Sequence, residues 1–269
     1  MKTCVLIASH ISYEGQIELL YDCLMSLKNQ TYQTDIYLSI SFDNIDYKEH
    51  FIKTIMENEI SENIIIKISD IQKYQMEHIY ILKEYINDYD LIMFCDDDDT
   101  YSINRVEEMV KNYKILLSNC EEERVYGITE NQYEVSDYTE FWSYAIRPAL
   151  LNMFYEHFKD DMDLLKHKFG DMYLRTFLRF KKDIIIGILV MKLYNYNSNN
   201  PNSICTKKKS VEIIIRDDLI LSTICGRYSK FNYILNHYNL NTRDVYKYVP
   251  EYDRVEKIAN NIFSNLLDK

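Results

Sequence analysis

Residues Leu91 to Tyr101 read LIMFCDDDDTY, five apolar residues running directly into four consecutive aspartates. The apolar part has the length and composition of a buried strand. The acidic part needs something to offset its repulsion, because two unit charges about 4 Å apart cost about 1 kcal/mol in water and several times that beside a low-dielectric wall. A solvated polar turn is one answer. A divalent cation of the Mg2+ or Mn2+ kind, bound by oxygen ligands and shared with a phosphate, is the other.

The residues upstream bear on that choice. TCVLIAS at 3–9, IYLSISF at 36–42 and IIIKI at 64–68 each read as a strand. Between them, Ile17, Leu20, Leu24 and Leu27 recur at helical spacing, as do Met76, Ile79, Leu82 and Ile86. Strand and helix thus alternate four times in the first hundred residues, which predicts a mostly parallel α/β sheet covered on both faces. In such sheets ligands sit beyond the carboxyl ends of the strands. Ser9 and His10, Asp43 and Asn44, the segment after Ile68, and the aspartate run all fall there.

Downstream, helices are expected over Arg105–Leu117, Ala149–Phe158 and Phe169–Phe180, and strands at 125–128, around Phe141–Ile146 and at IIIGILV, the last as a buried strand. A polar loop, NYNSNNPNS, leads into a mostly helical tail.

The chain has 269 residues, is 47% hydrophobic and carries a formal net charge of -11, enough apolar material for a sizeable core. The acids are spread along the chain and the basic runs, Lys181-Lys182 and Lys207-Lys208-Lys209, are short, which argues against a nucleic-acid partner. The six cysteines, Cys4, Cys23, Cys95, Cys120, Cys205 and Cys225, form no CxxC pair, so reduced thiols and a cytoplasmic setting are expected. The apolar stretch near the N-terminus is too short for a signal peptide, and IIIGILVM at 184–191 is far short of a membrane span.

Two families place an aspartate motif after such a strand. Asp96, Asp98 and Thr100 have the Asp-x-Asp-x-Thr spacing of the haloacid-dehalogenase phosphatases, although that family carries its motif on the first strand, and here three strand-helix units precede it. Over roughly Thr3 to Ser203 the chain resembles the inverting nucleotide-sugar glycosyltransferases of the GT-A fold, family 2. VLIASH and LYDCLMSLKNQTY resemble that family's opening strand and helix, ISFDN its second strand, FCDDDD its apolar-Asp-x-Asp-Asp motif, and FGDMYLRTFLRF its segment with the catalytic base.

That resemblance implies roles. Asp43 would accept a hydrogen bond from a nucleobase, Asp98 would bind the metal, and Asp96 would reach the metal or the ribose. Ser9, His10, Lys73 and His78 would border the donor nucleotide; Lys73 and Met76-Glu77-His78 stand where the family has Ala-Arg-Asn. Asp171 would deprotonate the acceptor hydroxyl, and Trp142 and Arg147 are candidates for contact with sugar, acceptor or diphosphate. Where the family often has Tyr-Arg-x-His after the last strand, this chain has YNYNSNNPNS, without the histidine.

The expectation is therefore a GT-A-like domain over 1–203, with a nucleotide-binding half over 1–100 and an acceptor-binding half over 101–203, followed by a helical extension over 204–269. Its expected activity is Mn2+- or Mg2+-dependent transfer of a sugar from a nucleoside diphosphate donor, a UDP-sugar first among them, to a hydroxyl of a glycan, protein or small molecule. A phosphatase using Asp96 as nucleophile and an inactive nucleotide-sugar binder are the alternatives.

Overall fold

The computed structural model describes residues 1–57, 59–131, 139–181, 183–197 and 210–264. Its contacts divide the chain into two units, Met1–Gly170 with Asp183–Ser198, and Asp171–Lys182 with Asn199–Lys269. The expected boundary at 203, Cys205 and the Lys207–Lys209 run lie outside the described residues. Cys4, Cys23, Cys95, Cys120 and Cys225 are free thiols.

In the first unit four strands run parallel: β1 (Thr3–Ile11), β2 (Asp35–Phe42), β3 (Ile64–Ser69) and β4 (Leu91–Asp96). Helices α1 (Gln16–Lys28), α2 (Ile45–Phe51) and α3 (Gln75–Leu82) follow the first three in turn. Beyond β4 come β5 (Thr100–Tyr101), α4 (Arg105–Asn119), β6 (Val125–Glu130), β7 (Tyr144–Ile146), α5 (Pro148–His157), β8 (Ile185–Leu189) and β9 (Tyr194–Asn195), with α6 (Gly170–Phe180) between α5 and β8. Seven strands make one sheet in the order β3-β2-β1-β4-β7-β6-β8, with β7 antiparallel to both neighbours; β5 and β9 form a separate antiparallel pair.

The innermost strands account for the continuous apolar runs. Val5, Leu6 and Ile7 of β1, and Leu91 through Cys95 of β4, are buried on both faces of the sheet, so no polar alternation is needed there. The IIIGILV run departs from that pattern. Among the described residues it forms β8 at the sheet edge, paired with β6 alone, and Ile188 and Val190 are 65% and 57% exposed. Periodicity alone does not separate an edge strand from a central one.

Gly127 of β6 is set by close approach. A Cβ there would lie 2.5 Å from the Ala145 carbonyl of β7, so the β6–β7 pairing admits no side chain at this position.

The second unit comprises most of α6 together with α7 (Val211–Ile224), α8 (Tyr228–His237), α9 (Val245–Tyr248) and α10 (Tyr252–Ser264). Ser210 caps α7 by accepting from the Ile213 N–H, and an Arg216–Glu251 ion pair (3.4 Å) ties α7 to the turn before α10.

Candidate functional site

The carboxyl ends of β1, β2 and β4 lie side by side, because β1 is paired with both of the others. Ser9 and His10 are consecutive in β1 and so face opposite sides of the sheet. Ser9 meets the aspartate turn: its hydroxyl donates to Asp97 Oδ2 (2.5 Å), which also accepts from Gln16 Nε2 at the start of α1 (3.0 Å). His10 instead engages Asp43, just past the end of β2, with Nε2 to Oδ1 at 2.8 Å. The neighbouring Asn44 accepts from the Tyr47 N–H and starts α2, which turns the chain away directly after Asp43.

Asp96, Asp97 and Asp99 each have side-chain partners from elsewhere in the chain. Asp96 closes β4, its Oδ1 accepting from Gln75 Nε2 (2.7 Å) and its N–H donating to the Tyr194 hydroxyl (3.0 Å). Asp99 is buried and acts as a fastener: Oδ2 accepts from the Tyr194 O–H (2.8 Å) and Oδ1 from the Asn197 N–H (2.7 Å). Burial pushes the Asp97 carboxyl up to about 7, with the Asp98 charge adding and the Ser9 and Gln16 bonds opposing. Burial likewise raises Asp99 to about 6 against the bonds from Asn197 and Tyr194. Asp96 and Asp98 are partly exposed at the turn.

A buried ion pair supports Tyr194. Arg105 Nε and Glu130 Oε2 meet at 2.9 Å with both side chains fully buried. Glu130 Oε1 accepts from the Leu193 and Tyr194 N–H groups (2.5 and 2.9 Å), and Arg105 Nη2 donates to the Trp142 carbonyl (3.0 Å). The Trp142 ring stacks on Tyr194 with centroids 4.0 Å apart and planes 14° apart. The segment that departs from the family pattern, Tyr194 to Asn197, is thus fastened to the aspartate turn through a tyrosine hydroxyl and a backbone N–H.

Ser9, His10, Asp43, Asp96, Asp98 and Trp142 therefore stand at or beside this strand edge, with Lys73 partly exposed in the segment before α3. Two further candidates do not. His78 is 1% exposed, with Nδ1 bonded to Ser39 (2.8 Å) and Nε2 to Ser41 (3.1 Å), so it lies beneath the crevice and out of reach of a ligand there. Arg147 follows Ile146, which pairs with Ile92, so it leaves the sheet where β4 begins, roughly 16 Å along the strand from Asp96. There Nε donates to the Tyr113 hydroxyl (2.7 Å) and Nη2 faces Glu122 (3.8 Å). Both histidine and arginine read as site residues from chain position alone; their strand and helix register sends them elsewhere. Asp171 lies in the second unit, partly exposed in the first turn of α6, where a carboxylate suits the positive helix end.

Gln16, Gln75, Glu130 and Tyr194 are the contributors that sequence reading missed. Only Tyr194 carried a signal, because it opens the YNYNSNNPNS segment in which the chain departs from the family's Tyr-Arg-x-His.

Among solved structures, the chain matches TarS 1-349 of S. aureus in complex with UDP-GlcNAc over 98% of this chain and 81% of that one, at 11% identity and a TM-score of 0.50. It matches the mannosyltransferase PcManGT of Pyrobaculum calidifontis, in complex with GDP-Man and Mn2+, over 98% and 75%, at 9% identity and a TM-score of 0.53. The chain has a GT-A fold. It spans 40% of the length of a longer TarS chain that it also matches. No protein-family model and no curated protein matches the sequence. In the GT-A frame, the mostly parallel sheet presents the aspartate turn at the edge where such folds take ligands.

Among the described residues, no group of three or more His, Cys, Asp and Glu side chains is arranged to hold a metal ion by itself. Asp96 and Asp98 nevertheless suit one kind of ion. Mg2+-like cations bind through one or two carboxylates plus substrate phosphates rather than through an all-protein cage. Among the described residues, no helix is long and apolar enough to cross a membrane.

Proposed function

We propose that this chain is a metal-dependent, inverting glycosyltransferase that moves a sugar from a nucleoside diphosphate donor, a UDP-sugar in the first instance, to an acceptor hydroxyl. The observation that carries the reading is the aspartate turn, with Asp96, Asp97 and Asp98 partly exposed and the Asp97 carboxylate tied to Ser9 and Gln16, at the carboxyl edge of a GT-A sheet beside Asp43 and His10. The complexes of TarS with UDP-GlcNAc and of PcManGT with GDP-Man and Mn2+ support the donor class and the metal.

On this reading Asp98 and Asp96 hold Mn2+ or Mg2+. When bound, such an ion would supply Lewis acidity toward the charge on the departing diphosphate. Asp43, half exposed at the end of β2, accepts a hydrogen bond from the nucleobase, and His10 orients it through their 2.8 Å contact. Lys73 brings positive charge toward the phosphates, and Trp142 offers an aromatic face to a sugar. Ser9, Gln16 and Tyr194 hold the turn on which the aspartates stand. Asp171 takes the proton of the acceptor hydroxyl, whose oxygen attacks the anomeric carbon opposite the diphosphate and inverts it.

A thermal-shift panel of nucleoside diphosphate sugars with and without Mn2+ tests the donor. Ligand at one hundred times its dissociation constant stabilises a protein by about 2.7 kcal/mol. Asp98→Asn is expected to abolish the Mn2+-dependent part, and Asp171→Asn to keep the shift but lose turnover. If both variants turn over a good donor as the parent does, the mechanism is wrong. A fluoroberyllate adduct at Asp96 would point to the phosphatase, and donor binding without any turnover to an inactive binder.

A further inference from the structure

Beneath the donor edge, four side-chain hydrogen bonds join five residues in one file. Asp43 Oδ1 meets His10 Nε2 (2.8 Å), His10 Nδ1 meets Ser41 Oγ (2.9 Å), Ser41 Oγ meets His78 Nε2 (3.1 Å), and His78 Nδ1 meets Ser39 Oγ (2.8 Å). The secondary structure dictates this alignment. Ser39 and Ser41 are two apart in β2 and face the same side of the sheet, His10 is the register partner of Ser41, and α3 lays His78 over both strands. Ser39, Ser41 and His78 are buried away from bulk solvent.

The polarity of the file follows from counting hydrogens. A carboxylate only accepts, each serine hydroxyl donates once, and a neutral imidazole donates from one nitrogen and accepts at the other. With His10 neutral, four bonds share four hydrogens in one arrangement. Ser39 donates to His78 Nδ1, His78 Nε2–H to Ser41, Ser41 to His10 Nδ1, and His10 Nε2–H to Asp43. With a second proton on His10, both its nitrogens donate. Ser41 must then donate to His78 Nε2, and His78 must carry its hydrogen on Nδ1, facing Ser39.

We propose that Ser41 and His78 are positioning residues that hold His10 with Nε2–H on Asp43, and that a proton taken up by His10 at the donor edge switches the tautomer of the buried His78. The imidazole of His78 stays neutral throughout, since burial, with the nearby His10 and Lys73 charges, holds it down at about 3. The charged groups around the file are Asp43 at the end of β2, Lys73 in the segment before α3, and Asp96 at the end of β4, whose Oδ1 is bonded to Gln75. Glu77 on α3 is turned to the Tyr74 N–H. The bearing of this relay on donor binding rests on the roles given above to Asp43 and His10, whereas the relay itself rests on the hydrogen-bonded file and on a neutral His78.

The test is long-range 1H–15N NMR of the histidine-labelled full chain without any donor, with the pH lowered in steps and the protonation state of each ring read from its own 15N positions. Wherever His10 is neutral, both rings are expected as Nε2–H tautomers. As His10 gains its proton, the pyrrole-type and pyridine-type 15N positions of His78 should exchange. Ser41→Ala should leave His78 in one tautomer across the series, and so should His10→Asn, which keeps the test decisive if the serine variant does not fold. A neutral His10 carrying its hydrogen on Nδ1, or a His78 tautomer constant while His10 titrates in the parent protein, overturns the proposal. Neither result depends on whether a nucleotide sugar binds, so the relay and the proposed function fail separately.

Discussion

Tyr194 and Asp99 lie 95 positions apart in the chain and share one buried hydrogen bond of 2.8 Å, from the tyrosine hydroxyl to Oδ2. The same hydroxyl accepts from the Asp96 N–H, so one oxygen holds both ends of the aspartate turn.

Tyr194→Phe removes that oxygen and leaves the stack on Trp142 in place. A part-buried N–H and a buried carboxylate each lose a partner, at a cost of up to about 1–3 kcal/mol per group. Urea unfolding should show a loss in that range. If the turn carries the metal, half-maximal donor turnover should also need several-fold more Mn2+.

The Arg105–Glu130 pair should prove unforgiving in one direction. Both side chains are fully buried, and removing one partner of such a pair costs about 3–5 kcal/mol. Glu130→Gln is nearly isosteric but turns an N–H2 group toward either Arg105 or the backbone donors of Leu193 and Tyr194. It is expected to destabilise by about 3 kcal/mol in urea unfolding, and a loss below about 1 kcal/mol would show that the pair is not the anchor of this segment.

His78 makes stability depend on pH with a definite sign. Burial holds its folded value at about 3, below the ordinary 6.5. Between those values the unfolded chain binds the proton and the folded chain does not, so stability is full above about 6.5 and falls as pH drops toward 3. At pH 5 the loss from this residue is roughly 2 kcal/mol. His78→Gln should narrow the difference between urea unfolding at pH 8 and at pH 5 by about that amount, whatever its cost at pH 8.

At the site itself, Asp98→Asn should lower turnover of a good donor by at least about 100-fold, since a Lewis-acid contribution of several kcal/mol corresponds to factors of ten per 1.36 kcal/mol. Circular dichroism and the melting temperature should stay close to those of the parent, because Asp98 is partly exposed. An unchanged rate would remove Asp98 from the proposed metal site.

Gly127→Ala is expected to act through the sheet and not through chemistry. Its Cβ would meet the Ala145 carbonyl at 2.5 Å, and a backbone atom of a paired strand gives way only by distorting the ladder. A loss of about 1–3 kcal/mol in thermal or urea unfolding is the expected size of such overpacking.

The chain order of apolar runs and helical spacings determined the first four strands, helices α1 and α3 between them and the placing of the aspartate run at a strand end, because burial on both faces leaves a signal along the chain itself. Local chemistry likewise determined the Asp43-Asn44 turn, where Asn44 caps α2. Tertiary structure alone decided which side chains meet. Register turned Ser9 to the aspartates and His10 to Asp43, buried His78 under both serines, and carried Arg147 to the opposite end of β4. The four adjacent aspartates were equivalent as letters. They differ in the fold because Tyr194, Asn197, Ser9, Gln16 and Gln75 come to them from distant parts of the chain, and contacts across such separations leave no local periodicity to read.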